Sequence, residues 1–85
     1  MSVAQVASSA TDVTILAANS ARKAAEVYND STAILYLLLS TGTSSASAFT
    51  VALQSQERID IPYHYTGIIK GIWASANGFA YVTEV

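Results

Sequence analysis

The sequence predicts an all-β fold: a small β-sandwich or barrel of about seven to eight short, mostly antiparallel strands. The expectation is one domain over residues 1–85. Three observations predict it. Phe49, Val51 and Leu53 alternate with Thr50, Ala52 and Gln54, the period of a half-buried strand. Turn-forming clusters recur at short, regular spacing between apolar segments. Ile34 to Leu39 is a run of six large apolar residues in a row. Neighbours in a strand point to opposite faces, so Ile34, Tyr36 and Leu38 line one face and Leu35, Leu37 and Leu39 the other. A strand apolar on both faces needs cover on both. One cover is the domain's own core; the other is a second layer or a neighbouring subunit.

In chain order, Ser2 to Ala7 is a short first strand whose only large residues are Val3 and Val6. Ser8 to Asp12 is a turn cluster. From Asp12 to Ala18 the β-branched residues give a stronger strand, with Val13 and Ile15 on one face and Thr14 and Leu16 on the other. Ala17 to Ala21 reads as a loop, and a one-turn helix around Ser20 to Ala24 stays open because Asn19 or Ser20 can cap it. Arg22 to Asn29 is the next strand, with Ala25 and Val27 inward and Arg22, Ala24, Glu26 and Tyr28 outward. Asn29-Asp30-Ser31 is a turn expected to close a tight hairpin onto the apolar strand Ala33 to Leu39.

Ser40 to Ser47 is a polar, low-complexity loop. It leads to the Phe49 strand. Ile59 and Ile61 alternate with Arg58 and Asp60 until Pro62, which cannot donate to a ladder. Tyr63-His64-Tyr65-Thr66-Gly67 is an aromatic loop. Gly67 to Trp73 follows, with Ile69, Gly71 and Trp73 on one face and Ile68, Lys70 and Ile72 on the other. Asn77-Gly78 favours a type I′ hairpin turn. The last strand, Phe79 to Val85, sets Phe79, Tyr81 and Thr83 opposite Ala80, Val82 and Glu84.

Composition narrows the function classes. Of the 85 residues, 52% are hydrophobic and 12% charged, against a usual charged share near ~25%. A chain this short buries only about 60–65% of its unfolded surface, so much uncharged surface is left over, and exposed apolar surface marks interfaces. The expectation is a homo-oligomer, or docking onto a larger assembly. The net charge is −2 and no basic run exists, which argues against nucleic acid as a partner. Cysteine is absent, so neither a disulfide framework nor a thiolate metal site is expected. Met1 to Ala10 lacks the basic start and apolar run of a signal peptide. No apolar segment approaches the ~18 residues of a membrane helix, and no membrane partner is expected.

No constellation for catalysis emerges. His64 is the sole histidine and has no acidic partner near it in sequence. Asp12, Asp30 and Asp60 lack the close alternate spacing of a calcium loop. Gly42, Gly67, Gly71 and Gly78 match no phosphate-binding spacing. The reading is therefore no enzyme, no cofactor and no metal. The candidate interface residues are Leu35, Tyr36, Leu37, Tyr63, His64, Tyr65 and Trp73, because Tyr and Trp combine large apolar area with a polar tip.

Three stretches carry a resemblance. The first is Asn19-Ser20-Ala21-Arg22-Lys23, then Val27-Tyr28-Asn29-Asp30-Ser31 and Leu35-Tyr36. The second is Phe49-Thr50-Val51-Ala52-Leu53 leading to Ile61-Pro62. The third is Tyr65-Thr66-Gly67, Gly71-Ile72-Trp73-Ala74, Asn77-Gly78 and Val82-Thr83-Glu84. From about Asp12 onward the chain resembles a family of small β-rich virion structural proteins of tailed bacteriophages, which serve as head decoration (cement) proteins or head-fibre modules. Where that family often has glycine, this chain has Ala24 and Ser40. The resemblance implies a non-enzymatic protein on the outside of the capsid that reinforces capsomer contacts. It would bind the major capsid protein or another virion protein and self-associate, with a trimer at local threefold positions favoured. It would reside in the virion, assembled in the host bacterial cytoplasm. Two alternatives remain: a receptor- or glycan-binding phage fibre module using Tyr63-His64-Tyr65 or the Ser40–Ser47 loop, and a carbohydrate-binding accessory domain of cellular origin.

Overall fold

A computed structural model describes residues 2–62 and 64–85. Its strands are β1 (Ser2–Ala7), β2 (Val13–Leu16), β3 (Ala25–Asp30), β4 (Leu35–Leu38), β5 (Val51–Leu53), β6 (Arg58–Asp60), β7 (Ile69–Trp73) and β8 (Phe79–Glu84). Among the described residues there is no helix; at Asn19–Arg22 the chain makes only a turn, closed by Arg22 N–H on the Asn19 carbonyl at 3.0 Å. The strands form two four-stranded sheets, sheet one in the order β1-β8-β3-β6 and sheet two in the order β2-β7-β4-β5. Every pairing is antiparallel. The fold is thus the small all-β sandwich that the alternation predicts.

The wiring is regular. β1 pairs with β8, β2 with β7, β3 with β6 and β4 with β5. The chain is one long antiparallel ribbon, doubled back between β4 and β5 and rolled so that its arms alternate between sheets. That is the winding of a jelly roll.

This winding corrects two turn assignments. Asn29-Asp30-Ser31 does not close a hairpin, because β3 lies in sheet one and β4 in sheet two. Asn77-Gly78 likewise carries the chain from sheet two to sheet one. Gly78 has φ 83°, and a Cβ there would sit 2.2 Å from the Asp30 carbonyl oxygen, so the crossing needs glycine. Asn77 Oδ1 accepts from Thr32 N–H at 2.9 Å and ties the two crossings together.

Between the sheets Val27, Ala80 and Val82 from sheet one meet Ile15, Leu35, Leu37, Leu53, Ile69 and Trp73 from sheet two. A register shift between Thr14 and Leu16 leaves Ile15 without a partner residue on β7. Its side chain fills the core above Gly71, where a Cβ would come within 2.6 Å of Ile15 Cγ1. The larger residue on β2 and the missing one on β7 complement each other.

Two polar side chains are also inside. Asn29 is fully buried. Its Nδ2 donates to the carbonyls of Ala33 (2.8 Å), Leu53 and Gln54 (both 3.0 Å). Its Oδ1 accepts from Ser31 Oγ (2.7 Å) and Trp73 Nε1 (3.2 Å). Arg22, expected on the outer face of a strand, is turned inward instead, and its side chain is 1% exposed. Nε donates to Glu84 Oε2 at 2.7 Å, Nη1 to the carbonyls of Tyr65 and Gly67 at 3.1 Å, and Nη2 to the Ala17 carbonyl at 2.6 Å. The strand therefore begins only at Ala25, and Arg22 closes the end of the sandwich opposite Asn29.

Candidate interaction surface

The outer face of sheet two carries Ile34, Tyr36 and Leu38 of β4 and its approach, with Ala52, Ile72 and Lys70 beside them by register. None of these is fully exposed. The loop between β4 and β5, residues 39–50, folds back over Tyr36 and Leu38 on this face. Phe49 stacks on Tyr36 with ring centroids 5.0 Å apart. Gly42 lies over Leu38. Ser44 is buried, and both its N–H (2.8 Å) and its hydroxyl donate to Asp12 Oδ1. Asp12 Oδ2 is in turn 2.9 Å from Lys70 Nζ. Phe49 is therefore not the first residue of the strand, which starts at Val51; Thr50 ties the end of the loop to β4, its Oγ1 accepting from Leu39 N–H at 3.0 Å and its N–H donating to the Leu37 carbonyl at 2.6 Å. The doubly apolar strand finds much of its second cover within its own chain.

Burial pushes the Asp12 carboxyl up. The bonds from Ser44 and Lys70 and the Lys70 charge outweigh that and leave it below its ordinary value. The bond from Arg22 likewise holds the Glu84 carboxyl down against its desolvation.

The sequence-derived candidates separate sharply. Leu35 and Leu37 are 0% exposed and Trp73 1%; they belong to the core and offer nothing to a partner. Tyr36 is half-buried under Phe49. Tyr65 is half-buried, packs against the core and donates its hydroxyl to the Ile68 carbonyl. Its loop is pinned by Arg22 and by Asn19 N–H on the Thr66 carbonyl at 2.8 Å. His64 is exposed, with φ 49°. Tyr63 lies outside the described residues.

Large exposed apolar side chains occur on both sheets: Phe49, over sheet two, is 40% exposed, and the rest lie on sheet one or at its end, where Val85 is 50% exposed. Val3 is 69% exposed, Phe79 39% and Tyr81 36%. Register places Val3 beside Thr83, Gln5 beside Tyr81 and Ala7 beside Phe79. Tyr28 of β3 extends the strip, its ring 6.5 Å from that of Tyr81. Gln5 Nε2 donates to the Tyr81 hydroxyl at 2.9 Å. Alternation in β8 separates Phe79 and Tyr81 from Ala80 and Val82, but not which set faces water. Ala80 decides that: it is fully buried, and its small side chain lets the sheets approach.

Beyond the strip, a shallow groove of about 250 Å³ is lined by Ala24, Ala25, Glu26, Asp60, Thr83 and Val85. Its two carboxylates face neither a histidine nor a lysine in that lining. Among the described residues no group of three or more His, Cys, Asp or Glu side chains is placed to hold a metal. What the surface offers is contact: a row of apolar and aromatic side chains on a rigid sheet. No protein-family model, no curated protein and no solved structure matches this chain.

Proposed function

We propose that this chain is a non-enzymatic virion structural protein of a tailed bacteriophage, a decoration (cement) protein that binds the outside of the head and reinforces capsomer contacts. The observation that carries the reading is the row of Val3, Phe79, Tyr81 and Tyr28 on the outer face of sheet one, bordered by Asp30 beside Phe79 and Arg58 beside Tyr28. Large exposed apolar groups mark interfaces, and tyrosines are frequent anchors in them. The sandwich beneath is held by buried Arg22 and Asn29, so the strip is presented at low entropic cost. Fold alone does not decide function, since jelly rolls also occur in lectin domains. The resemblance in the sequence supplies the rest. The partner is the major capsid protein or another virion protein, and many modest contacts add up over many copies.

The test is co-sedimentation of the purified protein with capsids built from the head protein encoded in the same genome. Saturable binding is expected. Phe79→Ala with Tyr81→Ala should weaken it at least tenfold, about 1.4 kcal/mol, with an unchanged melting temperature. A protein that stays in the supernatant at all concentrations would end the decoration reading. The same exposed aromatic residues favour the second reading, a glycan-binding fibre module; glycan-array binding that is lost in the same double variant would move the assignment there.

A further inference from the structure

Four strands border the two sheets, and three of the borders are protected. β6 is three residues long, has two charged side chains and runs into Pro62. β5 is three residues long, and β2 is interrupted by its register shift. Short strands, charges, proline and bulges are the usual defences of an edge. β1 has none of them. It is six residues long, Ser-Val-Ala-Gln-Val-Ala, without charge or proline, exposed at five positions, and pairs with β8 without a shift.

The main chain of this edge can be assigned. Ser8 N–H donates to the Gly78 carbonyl at 3.1 Å and continues the β1·β8 ladder. Antiparallel pairs alternate between hydrogen-bonded and non-hydrogen-bonded. Ser2, Ala4 and Val6 therefore bond to β8, while Val3, Gln5 and Ala7 direct their N–H and C=O groups away from the sheet. The side chains of these same residues stand on the outer face beside Tyr81 and Phe79.

We propose that β1 is a homotypic docking edge, pairing antiparallel with β1 of a second copy about a twofold axis through Gln5. In that register Gln5 lies opposite Gln5, and Val3 opposite Ala7. Every outward N–H and C=O of Val3, Gln5 and Ala7 then finds a partner. A shift by one residue would put outer side chains opposite inner ones, and a shift by two would set Val3 opposite Gln5 and leave Ala7 without a partner inside the strand. The sequence is self-complementary in the way a second copy requires. An amide carries both donor and acceptor and can face itself, whereas a charge on the axis would repel its own image. The pairing joins the two sheets one into a continuous sheet and sets the aromatic strips side by side on one face. It is a different assembly from a threefold ring, and it stands whether or not the chain binds capsids.

The experiment is native mass by light scattering over a concentration series up to about 100 μM, a range that reaches the weak associations expected of small interfaces. Wild-type protein is expected to reach a dimer. Gln5→Lys and Gln5→Glu, each alone, should weaken the dimer roughly tenfold or more through like charges on the axis. Mixed in equal amounts, the two should recover it. In parallel, hydrogen exchange on wild-type protein should show the Gln5 and Ala7 amides slowing as concentration rises, with no variant involved. A wild-type monomer or trimer over the whole series, a lysine variant that dimerises as well as wild type, a mixture that stays monomeric, or edge amides indifferent to concentration would each overturn the proposal.

Discussion

Five hydrogen bonds converge on the buried Asn29 side chain, four of them wholly inside the protein and the fifth, to the Gln54 carbonyl, partly so. The Nδ2 end faces three carbonyls and the Oδ1 end faces two donors, so only an amide in this orientation satisfies the site. Asn29→Asp would turn the donor end into an acceptor against those carbonyls. The expected loss is about 3 kcal/mol or more, since a buried group without partners carries its full desolvation cost. A urea titration checks it: the midpoint should fall with the slope unchanged. A wild-type midpoint would mean that the site rearranges or admits water. None of this was legible in the sequence, where Asn-Asp-Ser reads as a turn. The turn reading rests on the same property, a short polar side chain that bonds nearby backbone, but here the bonds are made inside the core and the chain crosses between sheets.

At the scale of elements, the loop over sheet two is held at Asp12. The carboxyl is depressed, so the folded state binds a proton less readily than the unfolded chain. Glu84, bonded to Arg22, behaves in the same sense. Both contributions are fully present above the ordinary values of 3.8 and 4.5 and are lost as pH falls through the lower folded-state values. Stability should be flat near neutrality and decline below about pH 4. Protonating Asp12 should also loosen the loop and uncover Tyr36 and Leu38, which a hydrophobic dye would report. Asp12→Asn should bind the dye already at pH 7 and decline less steeply in acid; dye binding equal to wild type at both pH values would count against the loop as a cover. The strands themselves were legible, β7 and β8 with their residues sorted into the right two sets, because alternation is a local property; which set faces the core was not. The loop's role was not: Ser40 to Ser47 shows only polarity, and Ser44 acts through a residue far away in the chain. Arg22 was misplaced for a similar reason, because its partners at Ala17, Tyr65, Gly67 and Glu84 meet only once the sheets have formed.

For the whole molecule the pairing of first strand with last, and second with seventh, sets the kinetics. Few of these ladders can form before distant parts of the chain meet, and closing such loops is slow. Refolding after dilution from urea is expected on the millisecond-to-second scale. Trp73, the sole tryptophan and 1% exposed, is a clean fluorescence probe for stopped-flow measurement. Relaxation in microseconds would contradict this account of the topology.

The same rolled ribbon brings Ser2 opposite Glu84. In effect the chain is a ring left open at a single point. A short peptide bridging that gap would give a cyclic molecule, and a cut at an exposed bend whose backbone bonds no other segment would yield a rearranged sequence with the same sandwich. Anything tethered to either end leaves from the same pole, beside the Arg22 closure and away from the bends that Asn29 and Asn77 hold together.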